Sequence, residues 1–559
     1  MKHTTAMYFL LACVLIGIQP DKAISQGHSA WSYNLSVYEV NVRQYTKEGT
    51  FAAFGKHLDR LKDLGVGVVW FMPIHPIGSK NRLGSLGSYY SVKDYYAVNP
   101  EFGTLNDLKA VVDSIHSKGM HVLMDWVANH TAWDNGLTLT HPEWYEKNGS
   151  GNFIAPHGTN WSDVIQLDFT NQELRNYMIG AMKYWIATAK IDGFRCDAAS
   201  FVPIDFWTQA ITELKTLYPD IMMIAEDDGA KYYPAGFDIT YAWSFYGFGN
   251  GLLTRLANGS NNANNLSAYV QNESASFGGN ALRMYFTSNH DENSWYGTDT
   301  ELFGSAAESF IAFSLVFRSV PLIYGGQETG LNHRLKFFDK DSIVWQTHPL
   351  ANRYRALLRT KRYNSALWNG AVGASLVRLA TSDDQNVFAF VRQKGADKVC
   401  GIFNVSNSQR TVTVSAESYS DTYHDIFNDS AKTVTQNYSI TLPAWGYAVY
   451  EKRGSTEGAA ADNIRPTKFS VSQNYPNPFN PSTRILYSLP EESRVTLTIF
   501  NSLGIAVANL VNKIQQPGEH TVVWNTHLAS GVYFYRMEMV PVYGQDNRFM
   551  EVKRMLHLK

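Results

Sequence analysis

Apolar residues recur along the first two thirds of the chain at helical and strand spacing in turn. Phe51, Phe54, Leu58, Leu61 and Leu64 share one face at the 3.6-residue period, and Gly65 ends the run. Short apolar strand patterns flank it: Tyr38-Glu39-Val40-Asn41-Val42 before, and residues 66–72 after, stopped by Pro73. Residues 105–118 predict a second amphipathic helix ended by Gly119, and residues 120–126 a third strand. The alternation resumes with helices expected at 171–189, 205–218 and 305–316, and strands at 193–197, 221–226, 237–241, 282–287 and 321–324. Eight strands with intervening helices, over about 330 residues, predict a (β/α)8 barrel. An open doubly wound sheet is the alternative, but no Gly-rich dinucleotide loop follows the first strand.

The periodicity breaks in three places. Residues 130–170 lack long apolar runs and carry Trp133, Trp144 and Trp161, the pattern of an inserted, functional excursion. From residue 366 to 452 short alternating segments such as Val387-Phe388-Ala389-Phe390-Val391 predict an antiparallel β-sandwich. Residues 453–465 are small, polar and acidic, hence a linker, and residues 466–559 are again β-rich. The barrel with its insertion is thus expected over 26–365. Residues 1–25 read as a signal peptide: Lys2, an apolar run over 6–18, and the small-residue site Ala23-Ile24-Ser25. No other stretch is apolar enough to be a transmembrane segment.

Composition narrows the function. The 559 residues carry a formal net charge of −2, so bulk electrostatics argue against nucleic acid as a partner. The 3 cysteines, Cys13, Cys196 and Cys400, form neither a disulfide framework nor a metal-spaced cluster. Aromatics reach 14%, which suits both a large core and the stacking of sugar rings.

The chemistry collects at strand ends. The third strand runs into Asp125-Trp126-Val127-Ala128-Asn129-His130, the fourth carries Arg195 and Asp197, the fifth ends in Glu226, and the seventh in Ser288-Asn289-His290-Asp291. Barrel active sites lie at the carboxyl ends of the strands, so Asp197, Glu226, Asp291, His130 and His290 are expected at one mouth. Arg195 and Asp197 are two apart on a strand and face the same side, where the guanidinium would hold the carboxylate ionised. Glu226 follows the apolar Met222-Met223-Ile224-Ala225, which favours a proton. A carboxylate nucleophile and a carboxylic acid flanking one bond are the machinery of glycoside hydrolysis.

The motifs DWVANH (125–130), GFRCDA (193–198), AE (225–226) and SNHD (288–291), with the loop GSYYSVKDYYAVNPEFGT (87–104), resemble those of the α-amylase family, glycoside hydrolase family thirteen. The resemblance spans about residues 31–452. It implies retaining cleavage of α-glucosidic bonds in an α-glucan. By matching position, Asp197 is the nucleophile, Glu226 the acid/base, and Asp291 the group that binds substrate hydroxyls and stabilises the transition state. His130 and His290 then bond the cleaved sugar, Tyr90 stacks on it, and Arg195 orients Asp197. The resemblance makes 130–170 the family's domain B and 366–452 its domain C. It also implies a calcium ion, Ca2+, with Asn129 and Asp168 matching ligand positions by order and spacing. The chain departs from the family pattern three and four residues past Asp197, where Ser200 and Phe201 replace a common Lys-His.

NYPNPFNPST (474–483), IFNSLG (499–504) and LASGVYFYRM (528–537) resemble the C-terminal sorting domain of type nine secretion substrates. That implies outer-membrane secretion machinery as a partner and a secreted or cell-surface location. A starch-binding module using Trp524 and Tyr533 is the competing expectation for this unit. For the whole chain the alternatives are a cyclomaltodextrinase, neopullulanase, oligo-1,6-glucosidase or glucanotransferase of the same family, or a non-catalytic glucan-binding surface protein. The last would have lost a catalytic carboxylate, and all three are present.

Overall fold

A computed structural model describes residues 28–247, 250–318, 320–454, 469–474, 476–515, 518–542 and 548–558. The expected signal peptide at 1–25 and nearly all of the expected linker lie outside the described residues.

Eight parallel strands close into a barrel: β1 (Val37–Val40), β2 (Val68–Phe71), β3 (His121–Trp126), β4 (Gly193–Cys196), β5 (Met222–Ala225), β6 (Ile239–Tyr241), β7 (Leu282–Tyr285) and β8 (Val320–Tyr324). Each pairs with its sequence neighbour, and β8 returns to β1 through Leu322 beside Val37. The strands are buried nearly end to end, as parallel strands covered by helices must be. The helix expected over 51–64 is two, Phe51–Gly55 and Leu58–Leu64, broken at Lys56–His57. Gly65, in the left-handed region, ends the second as read from sequence. The helix Leu105–Ser117 opens on a reciprocal Thr104–Asp107 capping box, and Gln172–Ala189 on the Asn171 side chain.

One glycine is essential to the site. Gly193 opens β4 at φ 151°, and a Cβ there would lie 1.9 Å from the Met222 carbonyl oxygen. The missing side chain lets β4 lie against β5, and so sets where Arg195, Asp197 and Glu226 arrive.

Between β3 and β4 the excursion is tied down by a two-stranded antiparallel pair, His130–Ala132 with Val164–Gln166. C-terminal to the barrel, a six-stranded sheet and a two-stranded sheet enclose their own core of Val387, Val391, Ile402, Val412 and Tyr450. The other face of the large sheet covers the barrel helix Ala307–Val316, which is buried from Ser309 onward. Phe313 of that helix meets the rings of Phe388 and Phe403 at 5.7 and 5.0 Å. The last unit has three- and four-stranded sheets around Ile485, Leu497, Trp524 and Tyr535. Trp524 and Tyr533 are buried in it, 4% and 7% exposed, so neither presents a face for sugar. Among the described residues no helix is long and apolar enough to cross a membrane.

Candidate active site

Arg195 organises the mouth of the barrel. The β3–β4 register sets Asp125 directly beside Arg195. The guanidinium is wholly buried and makes three carboxylate contacts. Nη1 donates to Asp125 Oδ1 at 3.0 Å and to Asp197 Oδ1 at 3.0 Å, and Nη2 forms an ion pair with Glu226 Oε1 at 2.6 Å. Nε donates to Tyr241 Oη at 3.2 Å, and the Trp70 ring lies 5.0 Å beneath the charge. Sequence reasoning assigned Arg195 to Asp197 alone; the tertiary structure shares it among three acids.

Burial raises all three. Asp197 stands well above the usual carboxylate range, through burial first and the Glu226 charge second, with Arg195 opposing. Glu226 and Asp125 are raised by burial and likewise opposed by Arg195. Burial works against ionisation of all three and the Arg195 charge works for it, so the three carboxyls titrate as one linked group. Burial raises Asp197 as well as Glu226, where sequence reasoning expected the Arg195 charge alone to govern Asp197.

Ala198, next to Asp197, adopts φ 41°, ψ 47°, a left-handed conformation that costs a non-glycine residue roughly 1–2 kcal/mol. The strained turn aims the Ala198 N–H at Glu226 Oε2, 2.7 Å away. Backbone strain is thus used to join the ends of β4 and β5.

Tyr90 and His290 close one side. His290 Nε2 and Tyr90 Oη are 2.7 Å apart, and Tyr90 Oη donates to Asp125 Oδ2 at 3.2 Å. His290 Nδ1 donates to Glu39 Oε1 at 2.5 Å. Burial alone would lower the His290 pKa, but the Asp291 and Glu39 carboxylates more than offset it and carry it to about 9. The imidazole is cationic at neutral pH. Asp291 lies 3.5 Å from its Nε2 and is about one-third exposed, at the edge of the cluster. Past Asp291, the π-helix Glu292–Tyr296 presents Trp295, half exposed and 5.2 Å from Phe337, which stacks on Tyr90.

His130 closes the other side and is neutral, its pKa lowered to about 4 by burial. Asn129 Nδ2 donates to its Nδ1 at 3.3 Å, which leaves Nε2 carrying the proton. The Trp161 ring lies 5.4 Å from His130 and stacks on Phe201 at 5.7 Å. Both rings are exposed, Trp161 by 36% and Phe201 by 46%. The position where the family pattern has histidine thus carries half of an aromatic surface.

The two residues matched to calcium each have other partners in this structure. Asp168 turns Oδ1 to its own loop, accepting from Thr170 N at 2.9 Å and Thr170 Oγ1 at 2.7 Å. The residue facing Asn129 is Gln166, whose amide nitrogen donates to the Asn129 side chain. An amide N–H2 thus stands against the Asn129 oxygen where a calcium shell needs a further oxygen, so the residues facing Asn129 do not fit the ion. Among the described residues no group of three or more His, Cys, Asp or Glu side chains could hold a metal ion.

Glu39, Trp70, Tyr241 and Gln166 were not singled out from sequence. Glu39 had a signal, a carboxylate inside an otherwise apolar strand pattern, where burial demands a partner. The others have none, because ordinary core aromatics and amides look the same.

A closed parallel barrel with carboxylates, a shared guanidinium and exposed aromatic rings at the carboxyl ends of its strands defines a carbohydrate-cleaving class of enzyme. Residues 33–148 and 138–409 match the model of the alpha amylase catalytic domain, and residues 380–453 that of the alpha amylase C-terminal all-beta domain. The chain belongs to the α-amylase family and is a glycoside hydrolase. Residues 473–540 match the secretion system C-terminal sorting domain, which marks the chain for export.

Among curated relatives, Alpha-amylase 2 of Dictyoglomus thermophilum is 23% identical, over 72% of this chain and 74% of its own length. A cyclomaltodextrinase of Thermoanaerobacter pseudethanolicus is 24% identical, over 64% of this chain and 63% of its own. Of solved structures, an α-amylase from Lactobacillus plantarum is 30% identical with a TM-score of 0.67, covering 76% of this chain and all of its own. A noncanonic maltogenic alpha-amylase AmyB from Thermotoga neapolitana is 29% identical with a TM-score of 0.66, covering 75% of this chain and 98% of its own.

Proposed function

We propose that the enzyme hydrolyses α-1,4-glucosidic bonds of starch, glycogen or maltooligosaccharides with retention of configuration. The observation that carries this is the pair of buried carboxyls Asp197 and Glu226 at the barrel mouth, bound to the one Arg195 guanidinium at 3.0 and 2.6 Å. With a sugar in place, Glu226, whose pKa burial raises, gives its proton to the glycosidic oxygen as the bond to C1 breaks. The Asp197 carboxylate takes up C1 in a covalent ester. Glu226, now ionised, removes a proton from water, whose oxygen displaces Asp197. Arg195 offsets whichever carboxylate is charged at each stage. Cationic His290, neutral His130 and Asp291 bond the sugar hydroxyls, and Tyr90 packs on the ring.

Exposed aromatic rings on both sides support a chain substrate. Trp295 with Phe337 lies beyond His290, and Trp161 with Phe201 beyond His130. Each offers an apolar face to a glucose unit flanking the scissile bond. The aromatic pair in place of Lys-His, with relatives described as a cyclomaltodextrinase and a maltogenic amylase, favours a second reading in which small or cyclic maltooligosaccharides are preferred. In the cell, a leader at 1–25 would take the chain across the inner membrane and the sorting domain across the outer one.

Digestion of soluble starch, pullulan and cyclodextrin separates the readings by product profile. NMR of the first products should show the α-anomer, and Asp197→Asn should lose hydrolysis by at least about a thousandfold while still binding glucan. Initial β-anomer, or an Asn variant that cleaves starch at the wild-type rate, overturns the assignment.

A further inference from the structure

Three oxygens converge on the Gln166 side-chain nitrogen. Nε2 lies 2.9 Å from Asn129 Oδ1, 3.1 Å from the Asn129 carbonyl oxygen and 3.1 Å from the Leu167 carbonyl oxygen. All belong to the seam where the barrel strand β3 passes into the excursion. Gln166 is 6% exposed and Asn129 fully buried. Two main-chain carbonyls and a side-chain carbonyl aimed at one buried point form an oxygen cage of the kind that holds a hard cation. A calcium ion would need those oxygens at about 2.3–2.6 Å with further ligands to make six to eight. Here they stand at hydrogen-bond distance from an N–H2 group, which carries the partial positive charge instead.

We infer that the Gln166 amide takes the place of a structural cation, so the seam between barrel and excursion is closed without metal. The device also reaches the site. Asn129 spends Oδ1 on Gln166 and Nδ2 on His130 Nδ1, so the amide fixes the orientation of Asn129 and, through it, the tautomer of His130. Gln166 is a positioning residue for His130, from which two hydrogen bonds separate it. The choice between amide and ion resides in one side-chain atom. With a carboxylate at 166 the donor is lost and a further oxygen is brought against these three, an arrangement that a bound cation relieves.

The test uses the full chain, with Ca2+ alone as the probe. Wild type is dialysed against EDTA and its melting temperature and kcat are measured with and without millimolar CaCl2. Both should stay the same, the melting temperature within about 1 °C. Gln166→Glu should melt lower by roughly 5 °C or more in EDTA, recover on adding Ca2+, and show a one-to-one calorimetric binding isotherm that wild type lacks. If Gln166→Glu does not accumulate as folded protein, Gln166→Asp is taken through the same measurements, and the wild-type arm decides independently. A wild type that loses stability in EDTA and regains it with Ca2+ overturns the inference. So does a Gln166→Glu protein as stable as wild type in EDTA with no acquired binding.

Discussion

Glu39→Gln isolates one charge of the site and leaves its shape. Glutamine keeps an oxygen to accept from His290 Nδ1, so the 2.5 Å contact survives as a neutral hydrogen bond. What is lost is one of the two carboxylates that carry buried His290 from 6.5 to about 9. That displacement corresponds to about 3 kcal/mol favouring the folded protein while His290 is charged. Asp291 supplies part of it, so the variant should forfeit roughly 1.5–3 kcal/mol near neutral pH. At roughly 2 °C per kcal/mol for a domain this large, the melting temperature should drop by about 3–6 °C. The sign follows from linkage. A group whose pKa is raised on folding stabilises fully below its unfolded value, near 6.5, and the contribution disappears as pH rises through about 9. Thermal unfolding of both proteins from pH 6 to pH 10 should therefore show a gap that is widest at pH 6 and closes by pH 10. A gap of constant size across that range, or none at pH 6, would refute the assignment of His290 as a cation held by Glu39.

Phe201→Ala should leave folding intact, since the ring is 46% exposed, and should raise KM for maltoheptaose about fivefold through the loss of one stacking contact, with less effect on shorter substrates. Equal KM values for wild type and variant across chain lengths would remove Phe201 from the glucan-binding surface. Gly193→Ala should cost about 3 kcal/mol or more, because the new Cβ meets the Met222 carbonyl oxygen at 1.9 Å where no flexible side chain can yield. Melting temperature and starch hydrolysis should fall together, since Arg195 and Asp197 ride on the same strand.

The alternation of period 3.6 with short apolar runs was enough for the barrel, because each strand must be apolar on both faces and each helix on one. The strand-end motifs were enough to name Asp197, Glu226 and Asp291 together, since a barrel delivers strand ends to one mouth whatever the packing between them. Local sequence also carried the Gly65 stop, whose partners lie within a few residues. What needed the folded chain were the pairings across it. Arg195 beside Asp125 depends on β3–β4 register, and Glu39 beneath His290 joins residues 251 apart. The upward pKa shifts of the acids follow from burial, which no residue carries in its own name. Asp168 and Gln166 show the limit most plainly: sequence spacing favoured the carboxylate, and the course of the backbone turned it to Thr170 while bringing the amide to Asn129. Sequence determines which groups are available to a site; direction and burial, which only the tertiary structure supplies, decide which of them meet and in what charge state.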